Sequence, residues 1–314
     1  MRIVRVAILT YRDDLHALLV QKILSDRYSA KCWIIETDRI CASGGLTWSA
    51  GECTLPTSEG ELIDVSSLDL IWCRRFNHKQ VLPKHEFNEA EVSVINNDCE
   101  TALFGLLANT FHGIWISDPD ATLRAENKLV QLQVAVSAGF KVPRTLVSQN
   151  PNAIKAFCSE LAGDVIVKVV RGTHERPLFT SRVTDRHLAA ETSMTLAPAI
   201  YQELISGSQH IRAHCFGSEV QTMLISSEQL DWRRDNKFTM EPITIEDTLQ
   251  VKLCDALARL RLKMGIVDLK IGPDNEVIWL EINPQGQFLF AEALGGVDLK
   301  GTFARFLFEE AKKR

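Results

Sequence analysis

The residues best suited to chemistry lie between Gly265 and Gln287. The run Gly265-Ile266-Val267-Asp268-Leu269-Lys270 is followed, eight residues later, by Trp279-Leu280-Glu281-Ile282-Asn283-Pro284-Gln285-Gly286-Gln287. Glu281 and Asn283 stand two apart in a β-rich stretch. On a strand their side chains share one face while Leu280 and Ile282 pack on the other. Pro273-Asp274-Asn275 between the runs reads as a turn that folds the strand of Asp268 beside theirs. Three oxygen donors, two of them carboxylates, then meet in one place. Such donors suit hard Mg²⁺, which keeps several waters and completes its shell with nucleotide phosphates. The same residues also fit an exposed acidic strand face with an Asn opening a turn before Pro284, and both readings stand at this point.

A lysine inside an apolar strand is the second feature. In Val165-Ile166-Val167-Lys168-Val169-Val170 the ammonium needs an anionic partner or must snorkel out to water. A phosphate would satisfy it, and the backbone N–H groups of Gly172-Thr173 just beyond could approach the same anion. An edge-strand lysine reaching water is the alternative. Third, Tyr201-Gln202-Glu203-Leu204-Ile205-Ser206-Gly207 is a strand running out into a turn. Its backbone can offer a donor and an acceptor to an adenine edge while Leu204 and Ile205 cover the ring face.

These groups must be carried by regular elements, and the hydrophobic pattern supplies them. Ile3–Thr10, a helical spacing over Asp14–Asp26, and Lys31–Glu36 form a βαβ opening. Further strands are expected at Leu68–Cys73 and Gly113–Ile116, with a long helix over Glu86–Asn109 between them. Glu126–Ala138 reads as an amphipathic helix stopped by Gly139. Beyond it come strands at Arg144–Val147, Val165–Val170, Leu178–Val183, Ala199–Ile205, Ile211–Cys215 and Val220–Ile225. Helices are expected at Ala153–Leu161 and Ile245–Met264, then strands Ile266–Ile271 and Val277–Ile282, and a last helix over Phe303–Lys312. The plan is an α/β N-terminal part followed by an α+β part with a mostly antiparallel sheet.

Composition narrows the class without naming the chemistry. The chain has 314 residues, 46% hydrophobic and 24% charged, which excludes disordered, collagen-like and coiled-coil proteins. A net charge of −5 argues against a protein that coats nucleic acid or an anionic membrane. The longest uncharged run, Thr101–Ser117, contains Asn109, His112 and Gly113 and is too short and polar to span a bilayer. Arg12, Asp13 and Asp14 follow the apolar start too soon for a signal peptide. The eight cysteines are scattered without a CxxC pair, so free thiols in a reducing cytosol are expected. Neither GxGxxG nor GxxxxGK[ST] occurs, and HExxH, GxSxG and the kinase signatures are also missing. The histidines, His16 and His214 among them, show no partner spacing that lifts them above core or surface residues.

In this order and spacing, Lys128, Lys168, Gln202–Ile205, Asp268, Glu281 and Asn283 resemble the ATP-grasp superfamily of carboxylate–amine ligases, over roughly residues 115–290. The chain is more closely similar to the ribosomal-peptide maturases of the microviridin (graspetide) type. It is more distantly similar to the RimK-like ligase that adds glutamate to a ribosomal protein. Leu280-Glu281-Ile282-Asn283-Pro284-Gln285-Gly286-Gln287 looks like the maturases' EINPxGQW signature, and Trp72-Cys73-Arg74-Arg75 like their WxRR. Leu230-Asp231-Trp232-Arg233-Arg234 adds to the likeness.

The resemblance implies an N-terminal pre-ATP-grasp α/β domain over 1–120, a central ATP-grasp subdomain over 121–205 and a C-terminal one over 206–314. It implies that Lys128 and Lys168 hold ATP phosphates and that Gln202, Glu203, Leu204 and Ile205 form the adenine hinge. Asp268, Glu281 and Asn283 would bind Mg²⁺, and Arg212 and Arg233 would neutralise the γ-phosphate or an acyl phosphate formed from it. Arg74 and Arg75 could receive acidic side chains of a peptide, although on a strand they point to opposite faces and at most one faces a site. A solvated strand end or an interdomain salt bridge is the alternative for them.

The implied reaction activates Asp or Glu side chains of a precursor peptide (leader plus acidic core) and joins them to Ser/Thr hydroxyls or Lys amines as macrocycles. A RimK-like ligase adding a free amino acid or amine is the second reading, and a nucleotide- or peptide-binding module without turnover the third. ATP and Mg²⁺ are the expected cofactors. A cytoplasmic homo-oligomer, dimer or tetramer, is expected, with neither nucleic acid nor membrane as partner. Three departures from the pattern stand out. His210 stands where related ligases often carry an Asp before Ile-Arg, the loop after Lys168 has one glycine, and Phe288 replaces a Trp.

Overall fold

The computed structural model describes residues 2–41, 44–49, 52–76, 79–83, 86–171 and 178–314. They divide into two compact units, one of Met1–Asp120, Gln287–Glu292 and Asp298–Arg314, the other of Ala121–Gly286 and Ala293–Val297.

The first unit opens with β1 (Arg5–Thr10), α1 (Leu15–Tyr28) and β2 (Lys31–Glu36), the βαβ arrangement the apolar spacing predicts. Asp14 caps α1 by accepting from the His16 N–H at 3.0 Å, and Ser29 closes the helix with φ 53°. A small antiparallel sheet follows, β3 (Thr47–Ser49), β4 (Glu52–Pro56) and β5 (Leu62–Asp64). Next come β6 (Leu70–Cys73), α2 (Glu89–Thr110) and β7 (Ile114–Ile116), α2 starting at a capping box of Asn88 and Glu91. The main sheet is parallel, in the order β2-β1-β6-β7. Its strands are apolar on both faces because both are covered. Ala7, Leu9 and Ile71 pack with Leu103 and Leu107 of α2.

The second unit begins within α3 (Pro119–Ala125), followed by α4 (Lys128–Ser137), β8 (Thr145–Ser148) and α5 (Pro151–Glu160). Then come β9 (Val165–Val169), β10 (Ser181–Arg182), α6 (Asp185–Ala189), α7 (Glu191–Leu196) and β11 (Ala199–Glu203). These strands make an antiparallel sheet in the order β10-β9-β11-β8. A second antiparallel sheet is built from β12 (Gln209–Phe216), β13 (Glu219–Ser226) and β14 (Thr239–Ile243), then, after α8 (Asp247–Arg259), from β15 (Met264–Ile271) and β16 (Val277–Asn283). Its order is β14-β13-β12-β15-β16. One face, with Ile211, Ala213, Val267, Leu269 and Trp279, is buried against Leu253 and Leu257 of α8. The other face carries the polar residues.

The chain ends with α9 (Leu289–Gly295) and α10 (Leu299–Ala311). In α10, Phe303 packs on Trp72 with ring centroids 4.7 Å apart, so the tail belongs with the first unit. The expected single C-terminal piece, 206–314, therefore differs from the observed division. The apolar stripe of Phe303, Leu307 and Phe308 supplies the cover for one face of the parallel sheet. Other differences have local causes. The helix expected over Ile245–Met264 stops at Arg259, because Arg261 takes φ 58° and Leu262 and Met264 begin a strand pattern. The strand expected at Leu178–Val183 is only Ser181–Arg182, and β14 escapes the apolar pattern because it is an edge strand carrying Pro242. Among the described residues no helix is long and apolar enough to cross a membrane.

Candidate active site

The β15–β16 hairpin turns at Pro273–Asn275, where Asn275 takes φ 57°, and its register sets Asp268 opposite Glu281. The pairing slips between Asp268 and Leu269, so that Leu269 faces Trp279. This β-bulge changes what alternation predicts. Trp279 enters the core, whereas Leu280 and Glu281 both line the cleft; Leu280 is not on the core face as expected. Asn283, two residues beyond Glu281, pairs with Ile266.

On the neighbouring strand Arg212 faces Asp268, and its Nη1 donates to both carboxylate oxygens at 2.7 and 2.9 Å. From the other side Lys128, the first residue of α4, donates to Glu281 at 2.7 Å. Arg212, Asp268, Glu281 and Lys128 thus form one row across three strands and a helix. Burial works against the charge on Glu281, but Lys128 beside it, then Lys168 and Arg233, hold its carboxyl down at about 2. Asp268 is raised by burial, with Arg212 opposing.

The second sheet of the unit contributes Lys168. Val165, Val167 and Tyr201 pack into a small core with Ile154, which leaves Ile166 and Lys168 facing the cleft. Burial pushes Lys168 down to about 8, with Glu281 opposing and Lys128 and Arg233 adding repulsion. A lysine in that position gains from any anion that enters. Gly172 and Thr173, expected to approach the same anion, lie outside the described residues, as does most of the loop to Pro177.

The strand end 202–205 lines the same cleft. Gln202 is buried and donates to the Thr145 hydroxyl at 2.8 Å. The Glu203 N–H is given to the Arg144 carbonyl and the Leu204 N–H to the Asp164 carbonyl, both at 2.9 Å. Ile205, next along the strand end, also lines the cleft. Arg233 reaches the cleft from a short 3₁₀ turn. Together these residues bound an open cleft of about 770 Å³, its mouth included. Among the described residues no group of three or more His, Cys, Asp or Glu forms a metal cluster. The donors present are two opposed carboxylates and an amide. That short, hard set fits Mg²⁺, which fills its remaining positions with water and phosphate.

No protein-family model matches the sequence, and no curated protein matches it. Solved structures do. The macrocyclase MdnC from Microcystis aeruginosa MRC, bound with the precursor peptide MdnA, is 26% identical, with a TM-score of 0.86 over 96% of this chain and 99% of that one. The chain has the ATP-grasp fold. The same fold is seen in the RiPP-associated ATP-grasp ligase of Chryseobacterium gregarium in complex with ADP and a leader and core peptide, at 23% identity and TM-score 0.87 over 98% and 97% of the two chains. It recurs in the ATP-grasp ligase PsnB complexed with minimal precursor, Mg and ADP, at 22% identity and TM-score 0.79 over 99% of each.

Within this fold several unpredicted residues position the row. Gln131, 1% exposed, donates to the Ile282 carbonyl at 2.9 Å and accepts from the Ile282 N–H at 3.0 Å. β16 is a sheet edge, and the Gln131 amide completes its hydrogen bonding as a further strand would. Gln131 lies one helical turn from Lys128, so the clamp also sets Lys128 against Glu281. His210 and Lys270 form a buried pair, Nζ to Nε2 3.1 Å. Gly286 lies against Ile266, where a Cβ would come within 2.8 Å of its side chain, so only glycine fits after Pro284-Gln285.

Arg74 departs from its expected role. It is 1% exposed inside the first unit, and its Nε donates to Asp14 at 2.7 Å. Asp14 also accepts from the Thr10 hydroxyl at 2.7 Å, and its carboxyl is held well below the usual range despite burial, by His16 and Arg74. A guanidinium committed there cannot meet a substrate carboxylate. Arg75, half-buried, donates to the Arg74 carbonyl at 3.0 Å. His16 belongs to the same cluster, its Nε2 accepting from the Phe288 N–H at 3.1 Å, so it is a partnered core residue.

Proposed function

We propose that this chain is an ATP-dependent ligase that activates Asp or Glu side chains of a ribosomally made precursor peptide and joins them to Ser/Thr hydroxyls or Lys amines, closing macrocycles. The observation that carries this reading is the row Arg212–Asp268–Glu281–Lys128 at one end of the cleft, with a strand-end hinge lining its wall. The end-to-end likeness to a macrocyclase bound with its precursor peptide supports the choice of substrate.

The adenine edge of ATP takes the Ile205 N–H, and Leu204 and Ile205 cover the ring. Lys168, destabilised by burial, gains a phosphate partner, and Lys128 reaches the same phosphates from the helix start. Asp268, Glu281 and Asn283 would hold Mg²⁺, which supplies charge neutralisation at the phosphates when bound. Arg212 and Arg233 orient and neutralise the transferring phosphoryl group.

A peptide carboxylate oxygen attacks the γ-phosphorus, the bond to the β-bridging oxygen breaks, and ADP leaves. A hydroxyl or amine then attacks the acyl carbon, phosphate departs, and the nucleophile's proton passes to phosphate or solvent. No covalent protein nucleophile is required, because positioning and charge neutralisation carry the reaction.

Mass spectrometry of an acidic, Ser/Thr/Lys-containing candidate peptide with enzyme, ATP and Mg²⁺ tests the reading. Loss of one water per bond without added amine is expected. A mass gain only when an amine is supplied assigns the adding ligase instead. Asp268→Ala and Glu281→Ala are expected to abolish turnover while circular dichroism shows a folded chain; retained turnover would sink the metal assignment.

A further inference from the structure

The short turn Asp231–Arg233 touches Arg233 of the cleft and Arg212 of the row beside it, by different chemistry. Asp231 is 8% exposed and takes Arg233 side-on, Oδ1 accepting from Nε at 2.8 Å and Oδ2 from Nη2 at 2.6 Å. Its Oδ1 also accepts from the Arg233 backbone N–H at 3.2 Å, closing the turn. The next residue, Trp232, is 9% exposed and lies under Arg212, whose Cζ is 5.6 Å from the indole ring. Phe238 meets that ring edge-on, centroids 5.3 Å apart at 63°, and fixes its plane.

We propose that this turn is the positioning device for the phosphate-facing arginines, Asp231 aiming Arg233 and Trp232 holding the guanidinium of Arg212 flat against Asp268. The proposal rests on the ligase reading above. Arg233 needs such a hold because Lys168 repels it, and a long exposed side chain so placed would otherwise swing to solvent. A bidentate carboxylate fixes a guanidinium in plane and angle, which a single contact does not. Arg212 is held on its edge by Asp268, and the indole ring lies against its guanidinium as a second hold. Arg234, next in sequence, is turned elsewhere, its Cζ 5.3 Å from the Phe179 ring, which makes it the internal control.

Nucleotide affinity measured by calorimetry with Mg²⁺ and AMP, ADP or the non-hydrolysable triphosphate AMPPNP separates positioning from general damage. In the parent protein AMPPNP should bind more tightly than ADP, because the third phosphate meets the two arginines. Asp231→Asn and Trp232→Ala should each cut that preference about tenfold and leave AMP and ADP affinity within about twofold. Trp232→Phe should restore the preference, since a phenyl face still carries the cation, and Arg234→Ala should match the parent. Equal weakening of all three nucleotides, an unchanged preference, or a Trp232→Phe protein as defective as Trp232→Ala would overturn the proposal. If the parent protein binds no adenine nucleotide, the ligase reading itself fails.

Discussion

Replacing Gln131 with alanine should be among the most damaging single changes in the second unit, although the residue touches no reacting group. Its amide ends three buried hydrogen bonds, two with the Ile282 backbone at 2.9 and 3.0 Å and one to the Ala125 carbonyl at 2.7 Å. Each orphaned buried partner costs about 1–3 kcal/mol, and water entering the vacated space recovers part of that. The expected loss is about 3–5 kcal/mol, a large share of the roughly 5–15 kcal/mol that holds a typical domain. Gln131→Met keeps the volume without the amide and should lose nearly as much, which assigns the effect to hydrogen bonding. Urea unfolding followed by far-ultraviolet circular dichroism reads the stability, and hydrogen exchange at the Ile282 amide reads the local bond. A loss below about 1 kcal/mol, or unchanged exchange at Ile282, would refute the edge-clamp argument.

His210 is held down near 4 by burial, with Lys270 adding repulsion, against an ordinary 6.5. Its neutral form is therefore native: stability is complete above about pH 6.5 and falls as pH drops toward 4, by about 3 kcal/mol in all, and His210→Asn should flatten that slope in pH-dependent urea midpoints. Lys168 at about 8 must be charged to hold a phosphate, so Mg·ATP affinity should weaken as pH rises above 8, with net proton uptake on binding, and Lys168→Met should abolish that dependence in calorimetry. Arg74→Ala strands the buried Asp14 carboxylate and should cost about 3–5 kcal/mol in thermal unfolding, whereas a substrate-binding arginine would leave stability unchanged.

What could be read before the structure follows the range over which the signal acts. The turn at Pro273–Asn275 is local, so the meeting of Asp268 and Glu281 was legible from spacing alone. Alternation is local too, and it places Arg74 and Arg75 on opposite faces, but it cannot say which face holds Asp14, sixty positions away. The bulge beside Asp268 defeats alternation outright. It adds one residue to β16 and sends Leu280 into the cleft, and no residue type there announces it. Gln131 shows the same limit from the other direction. On a helix a glutamine reads as solvent-facing, and only the knowledge that β16 is an edge strand turns it into a partner for an exposed peptide group. The edge itself was deducible, since β16 is the last strand of its sheet and any apolar edge needs a cover. The helix carrying Lys128 supplies that cover through Gln131, one turn from the lysine, so a single residue both closes the edge at Ile282 and fixes Lys128 against Glu281.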